Sequence, residues 1–250
     1  MRLNRFFIER QNLRIGSSVK LNDSDVNHIR KVLRLEKGDK IIIFNGEKEF
    51  KADLKIVGSE IVMAEITELL NEIVPNENST KITLFQCLLR AGKFDFIIEK
   101  LTELGIDNVV PVEAEFSQMK LDAAQNKIER WNRVAVSAAK QSERIDVPEL
   151  TQPIMFKDIK TVLDEFDDVY FFTIPRDSIE ETKEIPSLHD ALNSDAKKVA
   201  FIIGPEGGFS PSEHKMAKEW KLKFVKYGDT ILRSETAALA IFSVLKYLYS

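Results

Sequence analysis

Near residue 71 the hydrophobic repeat of this 250-residue chain changes period, and that change limits the folds open to it. Before it, apolar and polar residues alternate. Phe50, Ala52, Leu54 and Ile56 point one way, and Lys51, Asp53 and Lys55 the other. Lys40–Phe44 is apolar and ends at Asn45-Gly46, which predicts a hairpin, and Gly58-Ser59 turns the chain into a third strand over about residues 61–66. One helix interrupts the strands, capped by Asn22 or Asp23, with Val26, Ile29, Val32 and Leu33 as its buried stripe. Short strands joined by tight turns predict a small barrel over residues 1–70. Residues 71–80 are polar, include Pro75 and have no period, so they read as a linker.

From residue 81 to 250 strands alternate with helices. Residues 82–88 read as a strand. Phe94, Ile97, Ile98, Leu101 and Leu104 then recur at helical spacing, and Gly105 ends that helix. Residues 109–112, 169–173, 199–203 and 223–227 are further strands, and Ile128, Trp131, Ala135 and Ala138 mark a longer helix. The last helix, about residues 235–249, is apolar nearly all round, which requires burial in a core or a subunit interface. Such alternation predicts an α/β domain with a parallel sheet.

With 44% hydrophobic residues the chain can fill a core, which excludes wholesale disorder. No apolar run approaches the ~18 residues needed to span a bilayer, and the first ten residues carry charges where a secretion signal needs an apolar stretch. A soluble, cytoplasmic protein is expected. The net charge of −4 does not announce a nucleic-acid binder, yet residues 1–34 hold 8 basic and 3 acidic side chains, so a basic arm precedes an otherwise acidic chain. Cys87 is the only cysteine and lies in an apolar strand, which fits an inert core thiol. His28, His189 and His214 have no metal-type spacing and read as surface residues, and no metal is expected.

Two loops stand out. Ile203-Gly204-Pro205-Glu206-Gly207-Gly208-Phe209 follows a buried strand, and Ser210, Pro211 and Glu213 then match the N-cap, N1 and N3 positions of a capping box. Strand, glycine loop, helix is where open α/β sheets hold ligands. The glycine spacing matches neither the dinucleotide fingerprint nor a P-loop. The second loop, Gly228-Asp229-Thr230-Ile231-Leu232-Arg233-Ser234-Glu235-Thr236-Ala237, also follows a strand and opens the last helix. Taken alone, Arg233 and Glu235 fit capping and an exposed ion pair as well as ligand binding. No hydrolase elbow or Ser-His-Asp order is present.

These residues carry a resemblance. The chain resembles the ribosomal RNA small subunit methyltransferase E family nearly end to end. The shared features are Met1-Arg2 with Arg5-Phe6-Phe7, and His28-Ile29-Arg30-Lys31-Val32-Leu33-Arg34-Leu35 followed by Gly38-Asp39. Lys100-Leu101-Thr102-Glu103-Leu104-Gly105, Glu129-Arg130-Trp131, Ala139-Lys140-Gln141-Ser142 with Arg144 and Val147-Pro148, and the two loops complete the match. Two departures stand out. Leu89-Arg90-Ala91-Gly92-Lys93 replaces a Pro-Lys-Gly-Asp type turn, and Thr230 stands where the family pattern has a basic residue.

The resemblance implies a SPOUT-type methyltransferase domain, knotted near its C-terminus, behind a PUA-like RNA-binding barrel. It implies S-adenosyl-L-methionine as donor, methylation of N3 of a uridine in 16S rRNA of the small ribosomal subunit, and a homodimer. The cofactor would lie against Thr173, Ile203, Gly204, Glu206, Gly207, Gly208, Ile231, Leu232, Arg233, Glu235, Thr236 and Ala237. Arg233 would stabilise charge developing on the base and Glu103 would take a proton. Arg2, Arg5, Arg30 and Arg34 would hold RNA phosphates, with Phe6 either stacking on a base or filling the barrel core. Methylation of a ribose 2′-oxygen or a tRNA base, and a non-catalytic RNA-binding assembly factor, are the alternatives.

Overall fold

The computed structural model describes residues 3–9, 12–74, 76, 79–90, 92–173, 185–192, 195–228 and 230–249. The chain divides into two compact units, Met1–Pro75 with Ala139–Val147, and Asn76–Ala138 with Pro148–Ser250.

The first unit contains β1 (Arg5–Phe7), β2 (Ser18–Lys20), α1 (Asp23–Asn27) leading into a wide-turned π-helical stretch at His28–Leu33, β3 (Lys40–Phe44), β4 (Lys48–Val57) and β5 (Val62–Glu72). The sheet order is β1-β3-β4-β5-β2; β1 runs parallel to β3 and the other pairs are antiparallel. Side chains from every strand and from the helical segment, among them Phe6, Val19, Ile29, Ile43, Phe50 and Ile66, share one core. Phe6 is therefore core and not a stacking surface. The turn at Asn45-Gly46 closes as expected: the Asn45 side chain accepts from the backbone N–H of Glu47 and Lys48, and Gly46 has φ +93°.

Asn22 is the helix cap, its side chain accepting from the Asp25 N–H. Two side chains depart from the expected faces. Val32 is 66% exposed, because the π turn carries more residues per turn and rotates it off the buried stripe. Ile56 is 53% exposed, because a register shift between Leu54 and Ile56 interrupts the alternation of β4.

In the second unit the elements are β6 (Lys81–Cys87), α2 (Lys93–Leu104), β7 (Asn108–Glu113), α3 (Leu121–Gln125) and α4 (Ile128–Ser142), whose last residues count with the first unit. They continue with β8 (Glu149–Leu150), β9 (Ile154–Met155), a 3₁₀ stretch at Phe156–Glu165, β10 (Asp168–Phe172), α5 (Leu188–Ala191), β11 (Lys198–Ile203), α6 (Pro211–Glu219), β12 (Lys223–Val225) and α7 (Ser234–Leu248). The strand order is β12-β10-β11-β6-β7-β8, with β9 also on β7, and every pairing is parallel. The strands read as continuous apolar runs because helices cover both faces. Chain order reverses between β6 and β11, where Gln86 lies level with Ile203 at the carboxyl ends. After β12, Lys226 bridges to Pro186 and Ser187, and the chain returns from the sheet edge to its centre, where α7 packs on β6, β11 and α2. A knotted C-terminal region requires a return of this kind.

Candidate active site

A cavity of about 290 Å³ opens at this reversal point. Three carboxyl-end segments form it: Phe172 and Thr173 at the end of β10, Ile203 to Glu206 with Gly208 and Phe209 at the end of β11, and Lys226 to Gly228 with Thr230 to Ser234 after β12, with Ala237 and Ile241 of α7 as the floor. The last two strands are not neighbours, since β10 stands between β11 and β12. Their loops nevertheless share the cavity with Phe172 and Thr173 at the end of β10.

One hydroxyl ties these parts together. Ser234, the first residue of α7, donates from Oγ to the Gly204 carbonyl at 2.6 Å and accepts from Gln86 Nε2 at 3.0 Å. Gln86 is fully buried, its Nε2 also donates to the Cys87 carbonyl, and its Oε1 has no partner among the described residues. The central strand, the glycine loop and the start of α7 are thus linked at one point. The capping box forms as expected: Ser210 Oγ accepts from the Glu213 N–H, and Glu213 Oε2 accepts from the Ser210 N–H. Glu213 Oε1 also accepts from the Glu115 N–H at 2.8 Å, which fastens the loop after β7 to α6.

Thr173 is held from behind by His214. This histidine is 4% exposed among Phe171, Phe209 and Phe224, so its expected surface position is corrected. Its Nδ1 donates to the Ser210 carbonyl at 3.0 Å, and its Nε2 is 3.0 Å from Thr173 Oγ1. Lys93, the first residue of α2, is 3.2 Å from both Glu206 and Glu235. Burial works against its charge, but the hydrogen bonds it donates to Glu206 and Glu235 outweigh that and raise its pKa above the ordinary lysine value. Cys87 is buried, and burial first, with the Glu213 carboxylate second, pushes its thiol well above the ordinary value.

Of the residues singled out from the sequence, Thr173, Ile203, Gly204, Glu206, Gly208, Ile231, Leu232, Arg233 and Ala237 line the cavity. Glu235 and Thr236 do not: Ser234, Ala237 and Ile241 occupy the inward face of α7, and the intervening residues turn away from it. Gly207 is not a lining residue either. A Cβ there would come within 2.9 Å of Phe116 Cβ, so its missing side chain accommodates a neighbouring loop. Arg233 lies exposed on the rim; its carbonyl accepts from the Ala237 N–H at 2.8 Å, and its guanidinium makes no hydrogen bond or ion pair among the described residues. Glu103 is not brought to the cavity; it sits on the outer face of α2 paired with Lys100 at 2.8 Å.

In the first unit Arg30 and Arg34 are exposed, and the Arg30 guanidinium donates to the Ser59 carbonyl at 3.1 Å. Arg5 is corrected: its side chain is 8% exposed, paired with Glu49, donating to the Arg144 carbonyl at 2.7 Å and stacked on Phe44. It is a core cation and not a phosphate contact. Arg2 lies outside the described residues. Sequence reasoning did not single out Gln86, Lys93 or His214. Ser234, quoted within the second loop, was not marked as a site residue. A polar residue in an apolar strand is the signal that points to Gln86. Among the described residues no cluster of metal-ligating side chains occurs, and no helix is long and apolar enough to cross a membrane.

Residues 76–246 match the model of an RNA methyltransferase domain and residues 21–67 that of an RNA methyltransferase PUA domain. The chain is 31% identical to ribosomal RNA small subunit methyltransferase E of Bacillus subtilis over 98% of its own length and 96% of the relative's. Among solved structures, a putative methyltransferase of Legionella pneumophila in complex with S-adenosylmethionine superposes with a TM-score of 0.85 at 28% identity, covering 99% of this chain and 98% of that one. Ribosomal RNA small subunit methyltransferase E of Neisseria gonorrhoeae, bound to S-adenosyl methionine, superposes with a TM-score of 0.84 at 29% identity and the same coverage. A parallel-sheet SPOUT-type domain behind a PUA-like module is the fold observed. On sequence, domain content and fold together, this chain belongs to the ribosomal RNA small subunit methyltransferase E family.

Proposed function

We propose that the chain transfers a methyl group from S-adenosyl-L-methionine to N3 of a uridine in the 16S rRNA of the small ribosomal subunit. The observation that carries this reading is a cavity at the sheet's reversal point with Arg233 on its rim, its guanidinium without a partner among the described residues. The cavity suits the donor. Ile203, Phe209, Leu232 and Ile241 supply apolar walls for an adenine ring. The backbone groups of Ile231 and Leu232 enter no hydrogen bond among the described residues and are available to its polar edge. Gly204 is closely packed, since a Cβ would lie 3.0 Å from the Phe209 ring and the ring would have to shift to admit it. When bound, the donor supplies an electrophilic methyl group on a cationic sulfur.

This chain's residues prepare the acceptor. Uracil N3–H is a weak acid, so its anion must be favoured where transfer occurs. Arg233 places a guanidinium where charge develops on O2 or O4 of the base. Glu206, the only carboxylate among the described lining residues, replaces Glu103 as acceptor of the N3 proton. Lys93 keeps Glu206 fixed on the loop. Arg30 and Arg34 contact RNA phosphates from the first unit, and the exposed Tyr247 and Leu248 of α7 give two copies an apolar face through which to form a homodimer. An rRNA substrate supports a cytoplasmic location.

The test is primer extension on 16S rRNA from cells with and without the protein. Methylation at N3 blocks the Watson–Crick edge, so one uridine should stop the polymerase only when the protein is present. A methyl group found on a ribose after nuclease digestion would exclude this reading in favour of 2′-O transfer.

A further inference from the structure

We propose that Phe116 is a stacking platform for a base flanking the target uridine, a substrate-positioning contact beside the methyl-transfer cavity. This rests on the functional reading above.

Phe116 lies in the loop after β7, at the carboxyl edge of the sheet. It is 42% exposed, while Ala114 and Ser117 on either side of its turn are buried. The turn is rigid. The Ser117 N–H donates to the Ala114 carbonyl at 3.0 Å, and Ser117 Oγ accepts from the Ala114 N–H at 3.0 Å. Between them the Glu115 N–H is held by the buried carboxylate of Glu213. The fold therefore fixes the backbone on both sides of an aromatic ring and leaves the ring in solvent, with no ring partner among the described residues.

The glycine loop makes room for it. Gly207 does not adopt the left-handed backbone that only glycine favours, yet any side chain there would collide with Phe116, 2.9 Å from its Cβ and 3.5 Å from its Cγ. Its neighbours Glu206 and Gly208 line the cavity, so the ring stands one residue from the cavity wall. An enzyme that acts on the N3 edge must take the base out of its stack and compensate the bases left behind. An exposed ring mounted beside the glycine loop that borders the cavity does this with any base, because each has a π face.

The experiment uses the full chain and small ribosomal subunits purified from cells that lack the protein, with labelled donor. F116A and F116L should raise KM for the subunits roughly ten- to a hundred-fold, the range of a lost base–aromatic stack. F116Y should restore near-wild-type values. Donor affinity by calorimetry and the melting temperature should not change in any of the three, which separates a stacking role from a folding one. Wild-type KM in F116L would overturn the proposal, since leucine keeps apolar contact but cannot stack. So would conversion of F116A from dimer to monomer in sedimentation, which would make the ring a contact between copies. An active wild type with an unimpaired F116A overturns this inference alone. A wild type that leaves the subunits unmethylated overturns the functional reading and this inference with it.

Discussion

Replacing Ser234 by alanine removes one oxygen and two hydrogen bonds at the point where β6, the glycine loop and α7 meet. Ser234 is 7% exposed and Gln86 is fully buried, so the lost bond to Gln86 is not replaced freely by water. A typical hydrogen bond contributes about 1 kcal/mol net, and a buried polar group left unpaired costs about 1–3 kcal/mol. Gln86 keeps its bond to the Cys87 carbonyl, and the Gly204 carbonyl borders the cavity, where water can reach it. The expected loss is therefore about 2 kcal/mol, which for a domain of this size lowers the melting temperature by roughly 4–8 °C. Donor affinity should fall as well, because the same bond sets the spacing between Gly204 and the residues ahead of α7. Scanning calorimetry measures the first effect and titration calorimetry the second. Gln86→Leu should be less than additive with Ser234→Ala, as residues that share a network are. A melting temperature and donor affinity both equal to wild type would refute the view that this hydroxyl holds the site together.

Arg233→Ala should lower kcat by roughly a hundred- to a thousand-fold while donor affinity holds, as loss of one charge-stabilising donor does; rapid-quench kinetics with labelled donor would show it. Replacing Arg30 and Arg34 together should flatten the salt dependence of RNA binding by about 1.5–2 logarithmic units per decade. Arg5→Ala should leave that slope alone and instead destabilise the first unit by about 1–3 kcal/mol, measurable by urea unfolding, because it leaves the half-buried Glu49 carboxylate without its partner. Cys87 should resist thiol reagents until the protein unfolds. Its raised thiol pKa adds stability in full below the unfolded value near 9.0, and that contribution is lost as pH rises beyond it. A urea midpoint that rises above pH 9 would contradict this assignment.

Much of the fold was legible because local and global signals agreed. Alternation placed Phe50, Ala52 and Leu54 in the core, and Ser210 with Glu213 formed the capping box that their spacing suggests. Both cavity loops were legible as interruptions between a buried strand and a helix. The misses have specific physical causes. Val32 and Ile56 face solvent because one extra residue, in a π turn and in a bulge, shifts every later side chain, and composition carries no trace of it. Arg5 reads as a phosphate ligand until Glu49, Phe44 and the Arg144 carbonyl, all distant in sequence, close around it. Glu103 matched a family block, but helix periodicity places it beside Lys100 and away from the cavity. His214 looked like one more polar residue on a charged helix, since nothing local reveals that three aromatic rings from other segments surround it.

The return of the chain from the sheet edge to its centre also fixes when the enzyme can first work. Ala237 and Ile241 close the cavity from below, so a nascent polypeptide can assemble most of its parallel sheet on the ribosome and still have nowhere to hold a methyl donor. Competence arrives only after synthesis has passed these residues, and a truncated product is inert instead of partly active. Free donor in the cell should therefore bind only molecules that have completed this final closure, and in doing so should favour them over incompletely folded copies.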